Sequence, residues 1–261
     1  GDSGMLGAMR LTTLSTLGAG ILCAAAFGLL GVSPSSQAQP PKTTTPILLE
    51  LFTSQGCSSS PPADALLGEL SRLPGVVAMS LNVDYWDYLG WRDTLGSPEG
   101  TRRQRDYAAR LGAGHVYTPQ AVINGREEML GSDRDRLLAA IARERTRQGV
   151  PVSLSSGDRD IRVEVAAAPR DDLRRDATIW VATVAPQVVV DIERGENAGR
   201  TIAYTNVVRK IVPAGMWQGQ ATALSLPRPA IMAEGTFCVA LLQADGTGPI
   251  LGASVPGGTA T

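Results

Sequence analysis

The chain has 261 residues, 43% of them apolar, with 24 basic against 25 acidic side chains and a formal net charge of −1. That length holds one large domain or two small ones with a sizeable core, and the balanced charge gives nucleic acid or another polyanion no reason to bind. A single histidine, His115, excludes sites built on two or more histidines. Neither a Gly-x-Ser-x-Gly elbow nor a Gly-x-x-x-x-Gly-Lys-Ser/Thr phosphate loop occurs.

Residues 11 to 32 carry no charge, follow Arg10 and lead into SPSSQA. A basic start, an apolar middle and a small-residue end predict a secretory signal peptide over 1–38, cleaved after Ala38, with GDSG before Met5 as an extra lead. The competing reading is an uncleaved membrane anchor, since the apolar run is long enough to span a bilayer. Both place the bulk of the protein outside the cytoplasm, periplasmic or extracellular. Cleavage would remove Cys23 and leave Cys57 and Cys238, in a compartment where cysteines can pair, stay free or react with a partner.

A Pro/Thr linker spans 39–46. ILLELF, from Ile47 to Phe52, is an apolar run broken only by Glu50 and suits a buried strand. After TSQGCSSSPP, the positions Ala63, Leu66, Leu67, Leu70 and Leu73 recur at helical spacing, with Pro61 and Pro62 in the first turn. VVAMSLNV is a second buried strand, DYWDYLGWRDTLGSP an aromatic loop, and Pro98 to Leu111 an Arg-rich helix. A strand then crosses Asn124-Gly125 into a short partner strand, a strong hairpin signal. Asp133 caps a helix with Leu137, Leu138 and Ile141 on its apolar face. Strand, helix, strand, helix, strand, strand, helix over 47–149 predicts an α/β domain with a mixed sheet.

After Gln148-Gly149 the pattern becomes short, often alternating strands: VPVSLSS, DIRVEVAAA, ATIWVATVAP, VVVDIER, TIAYTNVVRKIV, ATALSLP and TFCVALLQ. No convincing helix interrupts them. This predicts a separate all-β, sandwich-like domain over 150–256, with a Gly-rich tail over 257–261.

Cys57 lies between a buried strand and the start of a helix, where backbone N–H groups and the helix dipole stabilise a thiolate. In dithiol enzymes a second cysteine three residues on resolves the mixed disulfide; here that position holds Ser60, which can only donate a hydrogen bond. Thr118-Pro119 precedes a strand, as thioredoxin folds place a cis-proline loop beside the reactive cysteine. Such a loop would dock an extended peptide through its backbone.

ELFTSQGCSSSPPADALL, with NVDYWDYLGWRD, VYTPQAVINGR, GSDR and ERGENAGRTIAYTNVVR, resembles an exported thioredoxin-like family, domain of unknown function 1223. The resemblance covers nearly all of 46–245 and implies a thioredoxin-like fold followed by a β-rich domain. The family's usual motif is Gly-Cys-Ser-Ser-Cys-Pro-Pro-Ala-Asp. Cys57 is kept and Ser60 replaces the second cysteine, which leaves a monothiol site.

The expected site therefore has Cys57, Ser60 and Pro119 as its chemical residues, with Thr118, Trp86, Asp84, Asp87 and Trp91 lining a substrate groove. For the aspartates, Asp93 included, proton relay to the thiol and turn capping are both open. His115 reads as an exposed structural residue that could tune the thiol. Glu193 to Arg209, with Gly195, Asn197 and Asn206, reads mainly as a hairpin plus turn, with a recognition role as the alternative. Cys238, in an apolar strand, reads as buried and inert. Cys57 and His115 are two soft ligands without a third, so no metal and no cofactor is expected. The expected function is monothiol exchange with protein or small-molecule disulfides. A redox-silent module that binds an envelope protein or peptide is the alternative.

Overall fold

The computed structural model describes residues 45–254. The expected signal peptide, the linker apart from Thr45 and Pro46, and the tail lie outside the described residues. Among the described residues no helix is long and apolar enough to cross a membrane.

The elements in chain order are β1 (Ile47–Thr53), α1 (Pro61–Leu70), β2 (Val76–Asn82), α2 (Pro98–Leu111), β3 (Gln120–Ile123), β4 (Glu127–Leu130), α3 (Arg134–Glu144), β5 (Val152–Ser156), β6 (Asp160–Val165), β7 (Ala177–Ile192), β8 (Arg200–Trp217), β9 (Thr222–Pro227), α4 (Arg228–Ile231), β10 (Phe237–Ala244) and β11 (Ile250–Ala253). They build a large mixed sheet of eight strands, ordered β11-β10-β7-β8-β2-β1-β3-β4, and a smaller antiparallel sheet ordered β5-β6-β9.

Both faces of the β1–β2–β3 region are covered, which is why these strands read as nearly continuous apolar runs. On one face Ile47, Leu49, Leu51 and Ala78 pack against Leu66, Leu67 and Leu70 of α1 and Leu137 and Ile141 of α3. On the other, Phe52, Leu81 and Val122 pack against Tyr107 of α2. Asp133 caps α3 by accepting from the Arg136 N–H at 3.1 Å. Leu138, expected on the apolar face of α3, is instead exposed and Ala140 takes the buried position. Asn124 and Gly125 both have positive φ, 47° and 59°, the backbone a tight β3–β4 hairpin requires.

The second half is not a body apart. β7 and β8 are single long strands of 16 and 18 residues, where the sequence suggested a break near Pro186. Pro186 lacks an N–H, and the residue that would face it, Asn206, turns to φ 50°, so pairing skips one rung and resumes. Freed from that rung, the Asn206 side chain donates to the Ala78 carbonyl at 2.9 Å, and Val207 pairs with Ser80. Asn206, expected in a turn, thus joins β8 to β2 and makes the two halves one sheet. β11, absent from the sequence reading, closes back toward β1, with the Ile250 N–H on the Asn124 carbonyl at 2.9 Å. The smaller sheet packs on the larger one. The small sheet stacks Ile161, Val163 and Leu154 on Ile179, Val181, Ala240 and Leu242 of the large one. α4 adds one helical turn where none was expected.

Glu50, the charge inside β1, is fully buried and paired bidentately with Arg103 of α2, at 2.6 and 3.2 Å. Arg103 also donates to Gln243 of β10 at 3.0 Å, and Tyr107 donates to Glu50 at 2.6 Å. A buried charge is tolerable only when paired and hydrogen-bonded, and this network satisfies that across three elements.

Candidate functional site

Cys57 follows β1 in a turn whose backbone closes through Cys57 N–H to Ser54 O at 3.2 Å and Ser60 N–H to Cys57 O at 3.1 Å. Cys57 is 8% exposed. It donates to the Thr118 carbonyl at 3.5 Å and shares a hydrogen bond with the Ser59 hydroxyl at 3.2 Å. The Thr118–Pro119 bond is cis. Burial pushes the Cys57 thiol up, but hydroxyl donors at Ser59, Ser60 and Thr118 and the Ser59 backbone outweigh it, so the thiol sits below the ordinary cysteine value. The Ser60 hydroxyl is fully buried and has no other hydrogen-bond partner, which leaves its proton free to turn to a thiolate. It makes no helix cap to α1.

Trp86 joins the site by donating its indole N–H to the Thr118 hydroxyl at 2.8 Å. A Cβ on Gly56 would come within 3.1 Å of Trp86 Cβ, so glycine there lets the aromatic loop close on the cysteine turn. Trp91 reaches the same turn one residue earlier, donating to Gln55 Oε1 at 2.8 Å. The aspartates are engaged with other groups. Asp84 accepts from the Thr101 hydroxyl at 2.6 Å and Asp87 from the Asp93 N–H at 3.0 Å. Asp93, buried, accepts from the Gln55 and Leu95 N–H groups, both at 2.8 Å, and from the Asn82 amide. No hydrogen bond joins Asp84, Asp87 or Asp93 to the thiol. His115 stacks near Tyr117, with ring centroids 6.1 Å apart. Cys238 is buried on β10 opposite Thr183, and burial raises its thiol; it and Cys57 are both free.

Two further parts complete the site. The first is the tip of the β7–β8 hairpin, residues 193–199. Asn197, 1% exposed, donates from one amide to both the Gln55 and Cys57 carbonyls, each at 2.9 Å. Glu196 accepts from the Ser58 N–H at 3.1 Å. Gly195, at φ 77°, lies where a Cβ would meet Trp91 Cβ at 3.1 Å. The polar run Glu-Asn-Ala-Gly signalled a turn but not what the turn would touch. The second is Asp64 on α1, 2% exposed, with neither carboxylate oxygen hydrogen-bonded. Burial, reinforced by the Asp93 charge, raises its pKa to about 7. It lies one helical turn after Ser60, on the same face, and the buried Thr53 and Tyr204 hydroxyls near it are also without partners. Among the described residues no three His, Cys, Asp or Glu side chains converge as metal ligands would.

The chain is similar to a crystal structure of a protein from Agrobacterium tumefaciens, at 35% identity over 82% of this chain and 95% of that one, with a TM-score of 0.70. HBP35 of Porphyromonas gingivalis shares the fold alone, at 11% identity over 84% of this chain and 79% of that one and a TM-score of 0.55. No curated protein matches. The family model described as Protein of unknown function (DUF1223) matches residues 48–243, and the chain belongs to that family.

Proposed function

We propose that this is an exported protein whose first half is a thioredoxin-like unit, and that Cys57 carries out monothiol exchange with disulfides. The observation that carries the reading is the setting of the Cys57 thiol, among three hydroxyls and beside the Thr118 backbone at the head of α1. That setting stabilises sulfur in its anionic form, the form that attacks a disulfide. In the step, the Cys57 thiolate forms a bond to one sulfur of the substrate disulfide. The substrate S–S bond breaks, and the second sulfur leaves as a thiolate that takes a proton from solvent. Ser60 cannot resolve the mixed disulfide, so a second thiol from solution attacks it, releases the product and regenerates Cys57. Ser59, Ser60 and Thr118 hold the thiolate, while Trp86 orients Thr118 and Pro119 faces the substrate backbone.

Alkylation of Cys57 against pH tests this. The expected rate rises with a midpoint below about 8.5, the value of an unperturbed cysteine. Ser60→Cys should add dithiol reductase activity toward a protein disulfide. A midpoint at or above the unperturbed value, together with no gain from Ser60→Cys, refutes the reading. A second reading, a redox-silent binding module, is favoured by Ser60 itself. Partner capture unchanged in Cys57→Ala, with no thiol transfer, selects it.

A further inference from the structure

The approach to Cys57 has an acid built into it from a distant part of the chain. Glu196, at the β7–β8 hairpin tip, accepts from the N–H of Ser58, the residue that follows the cysteine. The carboxylate is thus one residue and one hydrogen bond from the reacting sulfur. Asn197 anchors it there through the Gln55 and Cys57 carbonyls. Backbone N–H groups at the head of a helix ordinarily receive anions. Here the N–H of Ser58, in the turn that leads into α1, is occupied by the protein's own carboxylate. Among the described residues no Lys or Arg forms an ion pair with Glu196, including Arg194 and Arg200 of the same hairpin. Asp84 and Asp87 in the facing aromatic loop add two more carboxylates, and both are hydrogen-bonded to neutral groups rather than to cations.

We infer that Glu196 is a specificity-determining residue that turns away anionic disulfides and admits neutral or cationic ones, so that the substrates are peptide disulfides with basic flanking residues. This rests on the exchange reading above. An anionic substrate loses twice, because the Ser58 N–H is taken and a negative charge stands beside the sulfur it must reach. A cationic substrate gains from that same charge, and the exposed ring of Tyr88, 75% exposed and 6.2 Å from the Trp86 ring, offers a face for a guanidinium or ammonium group.

The test compares two small disulfides of opposite charge, cystamine and oxidised glutathione, reacting with reduced full-length protein. The ratio of the two rate constants is insensitive to any change in the Cys57 thiolate fraction, since both reagents meet the same nucleophile. At about 10 mM salt the ratio is expected to favour cystamine, and Glu196→Gln should lower it about three- to tenfold. At about 0.5 M salt, where the Debye length is only a few ångströms, the difference between wild type and variant should shrink severalfold. Glu196→Lys should push the ratio further toward glutathione. A ratio unchanged in both variants overturns the role of Glu196 while leaving exchange intact. Absence of Cys57-dependent reaction with either reagent overturns the exchange reading itself.

Discussion

Asp64 shows how much a single buried group can shift. Its ordinary carboxylate value is 3.8 and burial raises it to about 7, so between those values the folded protein holds a proton that the unfolded chain has released. Stability then falls as pH rises through that window and levels off above it, by an amount on the order of 4 kcal/mol. Asp64→Asn removes the titration. The variant should match wild type near pH 4 and exceed it by a few kcal/mol near pH 8 in urea unfolding. A constant difference between the two pH values would show that Asp64 is not buried as the neutral acid. The sequence could name Cys57, Thr118 and Pro119 because strand-turn-helix and X-Pro patterns are local. It could not name Asp64, because in Ala63-Asp64-Ala65-Leu66 an aspartate one position off the apolar stripe reads as solvent-facing. Only β8 laid over α1 buries it: Thr205 Oγ1 would lie 3.1 Å from a Cβ added at Gly68.

At the level of elements, the β7–β8 hairpin is the piece whose role changed most. Both strands were legible as β-formers, and TIAYTNVVRKIV already ran through Asn206, but the continuity of β7 through Pro186 was not legible, since a proline looks like a turn in isolation. The hairpin reaches from β10 to the cysteine turn, and its tip is held there by the buried Asn197 amide and by the Glu196 carboxylate on the Ser58 N–H. Asn197→Ala leaves two buried carbonyls without that donor and should cost about 1–3 kcal/mol of stability. It should also free the hairpin tip, so that Cys57 is alkylated faster at a fixed pH. Loss of stability with unchanged alkylation would mean that the tip does not control access. In the aromatic loop the aspartates are engaged away from the thiol: Asp87 and Asp93 accept backbone N–H groups and Asp84 accepts the Thr101 hydroxyl.

For the whole molecule, the expected boundary near Gly149 falls inside one continuous sheet. Cutting there removes β8 from the edge of β2 and Gln243 from Arg103. It also strips the Leu48, Val77 and Met79 side chains of Ala182, Val184, Val239 and Leu241. A fragment of residues 45–149 is therefore expected to lack the cooperative unfolding transition of the full chain, measured by circular dichroism in urea. A fragment with a sharp transition of its own would restore the two-domain reading. The order of strands and helices, the capped start of α3, the Asn124-Gly125 hairpin and the turn carrying Cys57 are written in short stretches of chain, because dihedral preference, capping and apolar period act within a few residues. The joining of the halves, the burial of Asp64 and Glu50, and the arrival of Glu196 and Asn197 at Cys57 depend on pairs of residues more than a hundred positions apart or on faces covered by remote strands. No local pattern encodes such contacts, because their free energy exists only once the sheet has closed.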